Sequence, residues 1–193
     1  MSDKNIILIG GNAKSGKDTT ANFLKDKLHG RTLIIHNADY LKYVCKQYYG
    51  WDGEKGEHGR SILQFVGTDL VRQEKDMATY WVERTCDIIK IFWDQFDYFL
   101  VPDLRFLNEV YYAKSRFPYN VMTVRVVRPN FDNGLTEEQK NHLSEVDLNG
   151  FEFDATIMSN SGLDKLERAV ENFMEKYGYT SRTFDMEYLG KPY

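Results

Sequence analysis

The run NIILIG leads straight into GNAKSGKDTT, and no other stretch constrains the chain as much as Asn5 to Thr20. The apolar run, bounded by Gly10-Gly11, reads as a short buried strand. From Thr19 to Leu28, residues Ala21, Leu24 and Leu28 recur at helical spacing. A strand that turns through glycines into a helix points its loop N–H groups, and the positive end of the helix dipole, at one spot. Gly11 to Lys17 spells G-x-x-x-x-G-K, a loop that cradles phosphates, with Lys17 giving a full charge to the β- and γ-phosphates. The next residue breaks the pattern, because Asp18 stands where Ser or Thr is usual. A bare carboxylate would repel a triphosphate in a partly dry site. A Mg²⁺ ion between them reverses the sign, since it takes one or two carboxylates together with phosphate oxygens. Asp18 is thus an expected metal ligand, although an acid also suits a first helical turn on its own account. Thr19 and Thr20 offer hydroxyls to phosphate oxygens.

Further strands are expected at Thr32–Ala38, Asp97–Asp103, Val121–Pro129 and Asp154–Asn160. Helices are expected at Tyr40–Tyr48, capped by Asp39, then at Arg60–Gln73, Met77–Trp93, Leu104–Phe117, after Thr136, and at Leu163–Tyr177. GWDGEKGEHG, with its four glycines, reads as a loop in which Trp51 is mobile, whereas Trp81 reads as core. The tail after Gly178 has no clear period. Strands alternating with helices predict an α/β domain with a mostly parallel sheet. Ligands of such sheets bind beyond the carboxyl ends of the strands. Polar residues gather there at Gly11–Thr19, His36–Asp39, Asp103–Arg105 and Arg125–Arg128. Asp103, after the apolar Tyr98–Val101, resembles the strand-end carboxylate that faces magnesium, and it would equally cap a following helix.

The 193 residues suit one domain, and a net charge of −4 gives no general attraction to nucleic acid or to an anionic membrane. Cys45 and Cys86 have neither metal-site nor disulfide-framework spacing, which suits a reducing cytoplasm. No stretch reaches the ~20 apolar residues of a spanning helix. Basic groups are nonetheless placed with purpose. On a helix over 60–73, Arg60, Gln64, Thr68 and Arg72 fan across one side while Leu63, Val66 and Leu70 gather opposite. Arg105 follows Asp103 by two residues, and Arg125 and Arg128 bracket the end of the fourth expected strand. Guanidinium groups grip phosphate bidentately, and joining two phosphorylated ligands head-on demands several of them.

GNAKSGKDTT (11–20), ADYLK (38–42), GRSILQFVGTDLVR (59–72), PDLRFLNE (102–109), VRVVRP (124–129) and HLSEVDL (142–148) together resemble the phage-type deoxynucleoside monophosphate kinases, within the P-loop kinase superfamily. The resemblance implies a three-layer α/β fold with a central five-stranded sheet and a helical acceptor-binding insertion. It implies one domain over 1–193, with acceptor helices at about 39–93 and a short lid at about 128–145. The implied reaction transfers phosphate from ATP, with Mg²⁺, to a deoxynucleoside monophosphate, in the cytoplasm (the host's, for a phage-encoded enzyme). It leaves room for a homodimer. Gly11, Lys14, Ser15, Gly16, Lys17, Asp18, Thr19, Thr20 and Arg125 would bind ATP, and Asp18 and Asp103 the metal. Lys17, Asp18, Arg105 and Arg128 would be catalytic. Asp39, Lys42, Arg60, Gln64, Asp69, Arg72, Arg105 and Glu109 would bind the acceptor. Asn108 would lie beside them, and His142, Ser144 and Glu145 match the family without a defined role. The stretch 130–141 has Lys140 but no arginine, so Arg125 and Arg128 would serve the lid from its start. A kinase of phosphomevalonate or dephospho-coenzyme A type, or a nucleotide-dependent switch, would share the loop.

Overall fold

The computed structural model of the chain describes residues 4–54, 56–159 and 162–179. The expected strand end at Asn160 and the tail beyond 179 lie outside them. Five strands, β1 Asn5–Gly10, β2 Thr32–Ile34, β3 Tyr98–Leu104, β4 Val121–Val127 and β5 Ala155–Met158, form one sheet in the order β2-β3-β1-β4-β5. Every adjacent pair is parallel, so the sheet is parallel throughout rather than mostly so. The helices are α1 Lys17–Lys27, α2 Ala38–Tyr48, α3 Glu57–Gln64, α4 Tyr80–Ile91, α5 Leu107–Arg116, α6 Glu137–Asn141, α7 Leu143–Val146 and α8 Leu163–Lys176.

Alternation along β1 explains the layers. Ile7 and Ile9 pack with Ala21 and Leu24 of α1 and with Val170 and Phe173 of α8. Ile6 and Leu8 pack on the other face with Val82, Cys86 and Ile89 of α4 and with Val110 and Ala113 of α5. A parallel strand covered on both faces can be apolar at every position, which is why NIILIG reads as a continuous run. Among the described residues no helix is long and apolar enough to cross a membrane, and both cysteines are free and buried.

A third cluster, Leu41, Cys45, Trp51, Val66 and Trp81, binds the helices between β2 and β3 to one another. Here the structure corrects three expectations. Trp51 is buried, with its indole N–H donating to the Glu54 carbonyl at 2.8 Å, although it sits among glycines. The loop is pinned by this side chain, so Trp51→Ala should cost about 3–5 kcal/mol, read as a fall in the denaturant midpoint. The helix expected at 60–73 is α3 followed by a π-helix over Phe65–Glu74, whose i→i+5 bonding shifts the faces away from a simple helical count. Finally, β2 stops at Ile34 and α2 begins at Ala38 with Asn37, not Asp39, at its cap. Asp39 instead lies in the first turn and accepts the His36 N–H at 3.0 Å.

Candidate active site

Gly10 ends β1 between Leu104 of β3 and Arg125 of β4, so the loop after it emerges at the centre of the carboxyl edge. Gly11 has φ 139°, and a Cβ there would stand 2.3 Å from the Val126 carbonyl oxygen. No other residue can occupy that position without moving the strand. Lys14 holds a positive φ of 59° without being glycine, the kind of strain found at binding loops. Gly16 caps α1 without a side-chain bond, which leaves the first N–H groups of the helix for an anion. Ser15 Oγ and Thr20 Oγ1 are buried without a partner among the described residues.

The Lys17 ammonium is folded back onto the Gly11 and Asn12 carbonyls at 2.7 and 2.8 Å. Burial, and after it the Arg105 charge, lowers its pKa to about 8. Two cavities meet at this lysine. The first, about 370 Å³, runs from Lys17, Asp18, Asp103 and Arg105 out to Lys42, Arg60, Gln64, Arg72 and Glu109, with Leu41 and Trp81 as apolar wall. The second, about 360 Å³, is lined by Ser15, Gly16, Thr19 and Arg128. Lys14, Lys17 and Asp18 belong to both.

Five of the residues expected at the site, Gly11, Thr20, Asp39, Asp69 and Arg125, lie off these walls. Arg125 lines a separate hollow beneath Asn12, its guanidinium 5.8 Å from the Phe153 ring centre. Asp69 faces His142, with Nε2 3.7 Å from its carboxylate, because the π turn carries it round to the rim. Asp39 stands behind Lys42 and accepts from its ammonium at 3.1 Å. Burial pushes the Asp39 carboxyl up, but bonds from His36 and Lys42 outweigh that and hold it well below the usual range. Thr20 is wholly buried under the loop.

Several groups are already engaged. The Asp103 carboxylate takes the N–H groups of Asn37 and Ala38, each at 2.9 Å. It therefore caps α2, a helix distant in sequence, rather than one starting at Leu104, since α5 begins only at Leu107. Arg72 pairs with Glu109 at 2.7 Å, with side chains only 8% and 2% exposed. Its guanidinium also lies 4.0 Å over the Phe106 ring. The other Glu109 oxygen accepts the N–H groups of Arg105 (2.9 Å) and Phe106 (3.2 Å). Burial raises the Glu109 pKa while Arg72 pulls it down. Glu109 is thus the anchor of Arg72 and of the start of α5. Asn108 donates to the Ala78 carbonyl, which Arg72 also reaches.

His36 and Asn37 were not singled out as site residues, and only their place behind a strand pointed to them. The His36 ring bridges Asp18 (3.1 Å) and Asp39 (3.5 Å), and bonds to these two acids raise its pKa to about 9. A raised pKa stabilises the fold fully below the unfolded value near 6.5, and that stabilisation fades as pH rises through about 9. His36→Asn should therefore lower the melting temperature by about 2–4 °C at pH 6 and leave it nearly unchanged at pH 10. The Asn37 amide is buried and neither of its polar atoms has a partner among the described residues.

The profile of the deoxynucleotide monophosphate kinase family matches residues 51–170, well over half of the chain. The chain belongs to this family. A protein of Acanthamoeba polyphaga mimivirus, provisionally named a deoxynucleotide monophosphate kinase, is 28% identical to this kinase over 192 residues, covering 83% of this chain and 92% of the viral one. The deoxynucleotide monophosphate kinase of Enterobacteria phage T4 is 28% identical over 117 residues, which cover 60% of this chain and 45% of the phage protein. Among solved structures, the Deinococcus radiodurans tunicamycin resistance protein superposes with TM-score 0.57 at 18% identity, covering 92% of this chain and 97% of its own. The Mycobacterium tuberculosis APS kinase in complex with AMPPNP and APS gives TM-score 0.51 at 12% identity, covering 89% and 98%. At these identities the likeness is one of fold, and the fold is that of the P-loop kinases.

Proposed function

We propose that this kinase transfers the γ-phosphoryl group of ATP to a deoxynucleoside monophosphate, giving ADP and the diphosphate. The observation that carries the reading is the pair of cavities joined at Lys14, Lys17 and Asp18, which would let two phosphorylated ligands meet end to end. ATP lies along the smaller one, its phosphates on the loop from Gly11 to Thr19 with Arg128 alongside. The monophosphate lies in the larger one. Lys42, Arg60 and Arg72 supply positive charge there, Gln64 supplies an amide for the base, and Leu41 and Trp81 supply the apolar wall. One domain carries the whole site, with acceptor helices at about 39–93 and a short lid at about 128–145.

The residues fit a magnesium ion. The Asp18 carboxylate is 71% exposed beside the phosphate loop, and Asp103 lines the same cavity. Among the described residues no three His, Cys, Asp or Glu side chains cluster as a metal site, which suits an ion held mainly by phosphate. Bound there, Mg²⁺ would neutralise the β- and γ-oxygens. The chain does the rest by positioning. Lys17 leaves its two carbonyl partners and follows the transferring group. Arg105 and Arg72 hold the acceptor phosphate in line. The lid excludes water, which competes as acceptor. The two buried thiols suit a reducing cytoplasm.

Labelled ATP incubated with each common dNMP and NMP tests the reading, with dephospho-coenzyme A and phosphomevalonate as further acceptors. Label is expected in a deoxynucleoside diphosphate. Label only in one of the other two acceptors, or release of phosphate with no labelled acceptor, would refute it.

A further inference from the structure

Glu145 belongs to the family-like stretch 142–148, yet the reaction as described gives it no task. It sits on α7, a single turn held at its start by His142, whose Nδ1 accepts the Ser144 N–H at 3.2 Å. Its side chain is 10% exposed and lines the larger cavity. One carboxylate oxygen accepts the Ala13 N–H of the phosphate loop at 3.2 Å, and the other pairs with Arg105 Nη1. The same Nη1 donates to the Ser144 carbonyl at 3.1 Å. Among the described residues the bonds of the Arg105 guanidinium thus leave through Nη1, on one edge. The edge carrying Nε and Nη2 is left for a ligand. One carboxylate spans the phosphate loop and the arginine that follows β3.

We propose that Glu145 is a positioning residue for phosphoryl transfer. It fixes Arg105 against the phosphate loop so that the free guanidinium edge faces the phosphates. The inference rests on the transfer reading above and adds the group that orients Arg105. An arginine without such a brace keeps its charge but loses its aim, and misplacement by about 1 Å can cost about a hundredfold in rate. Charge matters as well as reach, because a carboxylate–guanidinium bond is stronger than a neutral one.

The test is a double-mutant cycle on turnover with Glu145→Ala, Arg105→Ala and the double variant, with Glu145→Gln as the conservative change. Glu145→Ala is expected to lower kcat about 30- to 100-fold while both KM values move less than about threefold. In the Arg105→Ala background it should cost little more. Glu145→Gln, which keeps the length but offers one acceptor oxygen where the carboxylate offers two, should recover only part of the rate. Additive losses in the double variant, or a Glu145→Ala kcat within about threefold of the parent, would overturn the proposal. A measurement without turnover separates this from the transfer reading. The ¹⁵Nε–¹H signal of Arg105, assigned by its loss in Arg105→Ala, should be sharp in the parent and averaged in Glu145→Ala. An unchanged signal overturns the positioning role even if the parent phosphorylates no deoxynucleotide, and the latter result refutes only the reaction.

Discussion

Lys17→Ala keeps the fold and loses about 10²–10³ in kcat, the scale set by removing one preorganised donor from a developing charge. The fold survives because, among the described residues, the ammonium is held by two loop carbonyls and packs into no cluster of the core. The folded pKa, about 8, lies below the unfolded value of 10.5. The charged side chain therefore costs the empty protein stability at neutral pH, and that cost is relieved as pH rises through about 8 towards 10.5. The variant should melt no lower than the parent at pH 7. ATP phosphates restore the charge, so binding above pH 8 should draw in a proton. Calorimetry at pH 8.5 in two buffers of different ionisation enthalpy should show this uptake in the parent and not in the variant. Undiminished turnover would remove the loop from the reaction.

Arg72→Ala is expected to give a large loss of stability. It leaves the Glu109 carboxylate, 2% exposed, without its counter-charge. Breaking a buried pair from one side costs about 3–5 kcal/mol, a fall of about 10 °C in Tm for a chain of this size. The acceptor KM should rise as well, since the guanidinium lines the larger cavity. Arg72→Met combined with Glu109→Gln separates the two effects. The amide oxygen of glutamine can still accept from Arg105 and Phe106, and no buried charge is left over. The pair should recover most of the melting temperature and none of the acceptor KM. Recovery of both would show that Arg72 matters only as a partner for Glu109.

The strand–loop–helix unit was legible because each part carries its own local signal: an unbroken apolar run, a glycine needed at φ 139°, and a helical stripe through Ala21 and Leu24. The parallel order followed from strands alternating with helices. What escaped was set by partners distant in sequence. Asp103 looked like the cap of its own following helix, and nothing nearby announced that it would cap α2, 65 residues upstream, through Ala38. Trp51 looked mobile among glycines because the apolar cluster that receives it is assembled from α2, α4 and the π segment. Arg125 was grouped with Arg128 as a strand-end arginine, yet it points into the hollow by Phe153 while Arg128 reaches the second cavity. The role of Glu109 depended on Arg72, 37 residues away.

The π segment from Phe65 to Glu74 has a consequence for reading kinship. A helix of this kind holds one residue more than its length needs, so a relative may drop a single residue here and still keep an unbroken helix. With the extra residue gone the flanking side chains would keep their faces, and the residue facing Glu109 would stand one position nearer to Gln64 than Arg72 does. An ungapped alignment across this stretch would then match the wrong pairs, and an arginine paired with the buried glutamate of α5 is a better marker of a shared acceptor pocket than its distance in sequence from Gln64.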